Sequence, residues 1–284
     1  MGLVRALLAV VFAALAVAMP ANAGGGLGAA VSYLESRQTE SGGFAEPGRS
    51  PDPSLTAWAV VGLAAAGSPP ERAAAYLAGK PYPTATDLAL RILALDALGR
   101  DTETLVRQLE ELRRSNGSIG PLVNSTIWGT IALRAAGRPV APSTVRYLQR
   151  AQAANGGWSW RRGIASDADD TAAAIQALRA AGVLARSKAV RRGLAFLRAR
   201  RNPDGGFETA EGRGSNVQTT AWVIQAYVAA GRAVPASARS YLLRMQRADG
   251  SFRYSARYVT TPVWVTSYAV AALAGRSYPV GREA

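Results

Sequence analysis

Three carboxylates stand within four residues at Asp167, Asp169 and Asp170, inside the segment Ser166-Asp167-Ala168-Asp169-Asp170-Thr171-Ala172. Carboxylates this crowded cannot all ionise freely, so one can retain a proton, and hydrogen bonds decide which. General-acid chemistry is what such a cluster offers. The same residue types have a second use, because Asp and Ser at a helix N-terminus accept from unpaired amides and suit the helix dipole. Other parts of the chain place Ser54, Thr86, Asn124 and Gln218 at the offset of Asp169, and Asp52 and Asn216 at that of Asp167, as capping alone would do. Capping does not explain Asp170, whose counterparts are Leu55, Asp87, Ser125 and Thr219.

Those offsets exist because the chain is an internal repeat. Each unit holds a helical segment with a Tyr/Phe-Leu pair, a Gly-rich break carrying an aromatic, and an Ala-rich helical segment ending in Gly. The breaks are 38–44, 152–158, 202–207 and 246–252, with a weaker Asn116-Gly117-Ser118-Ile119; near Lys80-Pro81-Tyr82-Pro83 the Gly-aromatic step is lost. The second helices end at Gly67, Gly99, Gly137, Gly182, Gly231 and Gly275, where left-handed C-caps are expected. The first helices start near Ser32, Glu71, Glu103, Thr144, Lys188 and Ala238. Six pairs of one amphipathic and one mostly apolar helix predict an all-α fold, an α/α6 toroid of twelve helices with the apolar ones inside.

The repeat also orients the inner helices. Residues four, seven and eleven positions beyond Asp169 share its face, giving Ala173, Gln176 and Ala180. The equivalent faces carry Trp58 in the first unit, Trp128 in the third, and Trp222 with Gln225 in the fifth. The offset of Gly62, Ala94, Ala132, Ala177 and Ala226 is always small and must be a tight contact. The Trp/Gln face is therefore expected to line a hollow lumen, with Trp58, Trp128, Ala173, Gln176, Trp222 and Gln225 as ligand contacts and space beside Asp169 where Ala173 replaces a Trp. Packing between the rings would produce the same Trp spacing.

Composition removes several chemistries. The chain has no Cys and no His, so disulfides, thiolate sites, Ser-His or Cys-His nucleophile pairs and most zinc sites are excluded. No metal or cofactor is expected. The net charge is +14, nearly all of the cations being arginine, and residues 190–201 form a basic face that suits either solvent or an anionic cell surface. No groove-reading motif accompanies it, so no specific nucleic-acid partner is expected, and neither is an oligomer. Residues 1–23 carry Arg5, an apolar run and Ala21-Asn22-Ala23, the pattern of a secretory signal peptide; an uncleaved anchor is the alternative. A single domain over 24–284 and a secreted or cell-envelope location follow as expectations.

The Gln152-to-Trp158 unit resembles the QW-type repeat of squalene-hopene cyclases and other terpenoid cyclases. Their toroid superfamily also holds protein prenyltransferase β subunits, complement thioester domains and cobalamin carriers. The acidic segment, with Gly156-Gly157-Trp158-Ser159-Trp160 upstream, looks like the Asp-x-Asp-Asp-Thr-Ala signature of class II terpene cyclases. That resemblance implies Asp169 as the acid that protonates an alkene or epoxide, with Asp167 and Asp170 orienting and tuning it. Zinc prenyltransferase and thioester chemistry are excluded by the missing Cys and His.

Three functions follow from this reading. A secreted toroid binding an apolar or amphiphilic small molecule in its lumen comes first, then a class II cyclase-like isomerase. Against the isomerase stand the single helical domain, where familiar class II cyclases use two, and the export signal. A glycan-active enzyme is third, and needs a second carboxylate from Asp52, Asp87 or Glu208 facing Asp169.

Overall fold

The computed structural model describes residues 26–280. The signal-peptide segment lies outside them. Within them the chain is all helical: α1 (Leu27–Glu35), α2 (Pro53–Ala65), α3 (Ala73–Ala78), α4 (Ala85–Ala97), α5 (Glu103–Glu111), α6 (Val123–Ala135), α7 (Pro142–Ala151), α8 (Ala168–Ala180), α9 (Lys188–Arg198), α10 (Val217–Ala229), α11 (Ala236–Met245) and α12 (Pro262–Leu273). No described helix is long and apolar enough to cross a membrane.

The even-numbered helices are apolar around most of their circumference, and ten residues of thirteen in α2 are buried. Such a helix must be covered on all sides. Accordingly α2, α4, α6, α8, α10 and α12 pack in sequence order and α12 returns to α2, closing an inner ring. The odd-numbered helices surround it, burying one stripe each: Val106 and Leu109 of α5, Tyr147 and Leu148 of α7, Phe196 and Leu197 of α9. The helix starts fall within six residues of the sequence reading, α1 beginning earlier than Ser32. All six inner helices end on the expected glycines in left-handed geometry, φ 61 to 85°. The small offset is a tight contact, since a Cβ on Gly62 of α2 would lie 2.6 Å from the Ser267 carbonyl of α12.

The Gly-rich breaks are the stitching between repeats. Gly156 has φ 93°, and a Cβ there would lie 2.8 Å from the Arg192 carbonyl of the next outer helix. Gln152 reinforces the seam, its Nε2 donating to the Gly156 carbonyl at 2.8 Å and to the Ala189 carbonyl at 2.9 Å. The second glycine of each pair is bare so that an aromatic from the following outer helix can lie on it: Tyr76 on Gly43, Phe196 on Gly157, Tyr241 on Gly206. This accounts for the Tyr/Phe-Leu pair of the repeat. The same seam closes the ring, where Gln246 donates to the Gly26 carbonyl at 2.8 Å and accepts the Gly26 amide.

Beyond α12 the described residues stay with the ring. Residues 276–280 turn back beneath it, and Tyr278 is buried to 2 % exposure.

Candidate active site at the mouth of the ring

All six inner helices begin at one end of the toroid, and the acidic segment lies there. Asp167 is the N-cap of α8, its Oδ1 accepting the Asp170 amide at 2.8 Å. Its own amide donates to the Trp158 carbonyl at 2.9 Å, tying the Gly-Gly-Trp turn to the acids. Thr171 completes the clamp: its hydroxyl accepts the Trp158 amide at 2.8 Å and donates to the Asp167 carbonyl at 2.6 Å. Thr56, Thr126, Thr220 and Thr266 do the same for the amides of Phe44, Ile119, Phe207 and Phe252. The threonine of the motif is thus a scaffold residue, legible from its recurrence in five units.

Asp167 serves as a cap and also belongs to a carboxyl cluster. Asp170 is buried, with Asn124 Nδ2 donating to its Oδ1 at 2.7 Å. The Asp167 and Asp170 carboxyls lie side by side, and both pKa values are pushed up, by burial first. For Asp167 the charge of Asp170 adds to the shift.

Asp169 stands apart from that pair. Gln218 Nε2 donates to its Oδ2 at 2.8 Å, while its Oδ1 is out of solvent with no hydrogen-bond partner among the described residues. Burial raises its pKa to about 6, with the Thr219 and Gln218 side chains partly offsetting the rise and Asp167 adding to it. Thr219 is in turn bonded to Thr209 at 2.7 Å, and the half-buried Tyr254 hydroxyl is pushed upward by burial first and by the Asp169 charge next. Thr209 and Tyr254 sit on turns outside the inner helices, so no helix-face argument reaches them.

Asp169 belongs to a ring of partly exposed residues at the mouth: Ser54, Thr86, Asn124, Asp169, Gln218 and Trp264, one from each inner helix. One turn deeper are Trp58, Leu90, Trp128, Ala173, Trp222 and Tyr268, all buried. The Trp face does turn to the axis, but its rings meet there. Trp58 lies 4.9 Å from Trp128, 5.0 Å from Tyr268 and 5.8 Å from Trp222, and Trp128 and Trp222 are 5.3 Å apart. At this level the axis holds an aromatic layer instead of the expected hollow. Trp128 and Trp222 flank Ala173 from α6 and α10, and their contact spans the room that its small side chain leaves.

Gln176 and Gln225, a further turn down, face the tail. Gln176 Oε1 accepts the Tyr278 amide at 2.9 Å, and the Tyr278 ring is 5.8 Å from Trp58. Trp264, Tyr268 and Tyr278 escape the sequence reading. The first two are findable by counting back and forward from Thr266, whereas Tyr278 lies outside the repeat and leaves no periodic signal.

The acids proposed as partners across a cleft are otherwise engaged. Asp52 caps α2, Asp87 closes a capping box with Thr84 on α4, and Glu208 accepts the Gly214 amide. No group of His, Cys, Asp or Glu among the described residues is arranged to hold a metal ion. The wall between α2 and α4, at the unit lacking its Gly-aromatic step, contains a cleft of about 240 Å³ lined by Ala57, Leu77, Tyr82 and Leu90 with Lys80 and Asp87.

A family model for the squalene-hopene cyclase C-terminal domain matches residues 126–261, and one for the prenyltransferase α/α toroid domain matches residues 27–78. No curated protein matches the sequence. Among solved structures, the apo type II terpene cyclase MstE from Scytonema has a TM-score of 0.68 at 17% identity, over 87% of this chain and 96% of that one. A variant of MstE in complex with geranylgeranyl dihydroxybenzoate, its substrate, gives 0.68 at 16% over 88% and 95%. A glycosidase gives 0.61 at 13% over 86% and 94%. At these identities the likeness is one of fold, and it shows that a single ring of this size is found in a type II terpene cyclase. Helix order, turn chemistry and both family models agree that the chain has the α/α toroid fold.

Proposed function

We propose that this protein is an acid-initiated isoprenoid isomerase of the class II cyclase type, with Asp169 as the proton donor. One observation carries the reading: Asp169 has one oxygen fixed by Gln218 and the other buried and unpartnered, above a floor of Trp and Tyr rings. A carboxylic acid proton on that bare oxygen would pass to an alkene carbon, leaving a carbocation that aromatic faces stabilise. Ring closure consumes a second alkene, and loss of a proton from the final cation restores the count, so the net change is isomerisation without a cofactor. Asp167 and Asp170 position the acid segment and tune its acidity. The single domain no longer counts against this reading, since MstE is matched over nearly its whole length.

A second reading is favoured by the filled axis. An aromatic floor under a polar rim also describes a site that holds an amphiphile without turning it over. Exposed Trp160, with Arg161 stacked on it, and exposed Tyr258 stand on loops at this end, which suits a molecule or surface with apolar and anionic parts. The signal-peptide pattern of residues 1–23, which stands against a cyclase, favours this second reading.

The test is incubation of the purified protein with linear isoprenoids of fifteen and twenty carbons, as alcohols and as prenylated phenols. A product of unchanged mass and altered retention, absent with Asp169→Asn, is expected. Recovery of bound but unaltered isoprenoid from both proteins would establish the second reading in its place.

A further inference from the structure

The lower half of the ring is closed by the chain's own C-terminal segment, which no part of the repeat requires. Inner-face residues at that depth are Val61, Leu93, Ile131, Ala271 and two carboxamides, Gln176 and Gln225. An apolar plug would need neither carboxamide. Gln176 serves the tail directly, accepting the Tyr278 amide at 2.9 Å. The Tyr278 ring joins the underside of the aromatic layer, 5.8 Å from Trp58 and 6.1 Å from Trp128, and Val280 packs against the core behind it.

The fit is incomplete in polar terms. Gln176 Nε2 and Trp222 Nε1 are buried without a hydrogen-bond partner among the described residues, and the Tyr278 hydroxyl has only the Gln225 carboxamide beside it. Buried groups of this kind are normally satisfied, and each one left open weakens the arrangement that buries it. Withdrawal of the tail would open the lower end and return the carboxamides and the phenol to water. The seated tail therefore fills the space by ring contacts and satisfies the polar groups around it only in part, the balance expected of an occupant that can be exchanged.

We propose that residues 276–280 are a built-in occupant of the lower lumen, and that Tyr278 sets how long an apolar chain the site above can admit. With the tail seated, the aromatic layer is supported from below and only a short chain fits between it and the mouth. With the tail displaced, the rings can part downward and the far end of a longer isoprenoid chain takes the place of the Tyr278 ring. The identity of the occupant rests on the isoprenoid reading above; the plugging does not.

The experiment uses the full chain and two variants. Tyr278→Ala hollows the seated tail, and Tyr278→Glu expels it, because a carboxylate cannot remain among buried rings. Binding of ten-, fifteen- and twenty-carbon linear isoprenoid alcohols is followed by tryptophan fluorescence, after melting curves confirm that each protein is folded. Wild type is expected to favour the shortest chain, and both variants to shift the preference toward the longest by about tenfold. An unchanged order of affinities in a folded variant overturns the length gauge. Acrylamide quenching supplies the separate readout: Tyr278→Glu should expose the buried indoles, and quenching equal to wild type would overturn the plug itself. If quenching rises but no chain binds any of the proteins, the plug stands and the isoprenoid reading falls. Should Tyr278→Glu fail to fold, Tyr278→Ala decides both points.

Discussion

The second and fourth repeats place an aspartate at the same offset on an inner helix and put it in opposite environments. Asp170 is buried behind the Gly-Gly-Trp turn, hydrogen-bonded to Asn124 and, through its amide, to Asp167. Asp87, its counterpart, sits in a capping box with the exposed Thr84. The difference lies in the scaffold. The fourth repeat has the Gly-aromatic turn and the Thr171 clamp that draw residues 158–167 over the start of α8. The second has neither, because Leu88 replaces the threonine, and a cleft opens between α2 and α4 where the turn would lie. Chemistry at this rim depends less on which helix carries a carboxylate than on which turn desolvates it.

The largest effect expected from this contrast is on turnover. Asp169→Asn keeps the Gln218 contact but cannot donate a proton, so isoprenoid conversion should fall by about a thousandfold or more, in line with loss of an essential general acid. Asp87→Asn should leave conversion within about twofold of wild type. Equal losses in both would mean that rim charge, not a specific acid, drives the reaction.

Stability should divide the repeats next. Gly156→Ala forces a side chain into left-handed backbone and against the Arg192 carbonyl, which should cost about 3 kcal/mol. Gly79→Ala, where the second repeat has lost its turn and an added Cβ meets nothing within 4 Å, should change stability by about 0.5 kcal/mol or less. Urea melts of the two variants check this. Thr171→Val leaves the buried Trp158 amide without its acceptor and should cost about 2 kcal/mol. Thr220→Val should match it, since Thr220 does the same for Phe207. A loss confined to Thr171 would give that residue a role beyond the scaffold.

Much of this was legible in the sequence because repetition makes offsets comparable. The six terminal glycines located the inner helices, and the alignment they imply put Trp58, Trp128 and Trp222 on one face. Periodicity says which way a side chain points but not whether opposite walls meet. Whether the axis is open depends on ring diameter and indole rotamers, so a hollow and a packed layer read alike. Ala173 shows the limit: its small size was visible, while the contact of Trp128 with Trp222 across it depends on two other helices. Tyr278 was hidden for a different reason, since a tail outside the repeat has no counterpart to be compared with.

The smallest expected effect concerns pH, and it separates the two aspartates without an assay of function. In the folded chain Asp169 has its pKa raised from 3.8 to about 6, and Asp167 and Asp170 are raised as well. Above the ordinary carboxylate range the unfolded chain has released protons that the native state still holds. Stability from these groups is therefore complete below about pH 4 and declines as pH rises through the folded values. For Asp169 the shift is worth roughly 1–2 kcal/mol once its partial exposure to solvent is allowed for. Between pH 4.5 and pH 7.5 the melting temperature should fall by a few degrees, and Asp169→Asn should flatten part of that slope. Asp87→Asn, which touches a capping box with exposed Thr84 and a long contact from the Ser54 hydroxyl, should lower stability by about 0.5 kcal/mol at every pH and leave the slope intact. A wild-type protein that grows more stable across this window would mean that the three acids of the fourth repeat are ionised in the folded state. Burial by the Gly-Gly-Trp turn would then not be what distinguishes them from Asp87.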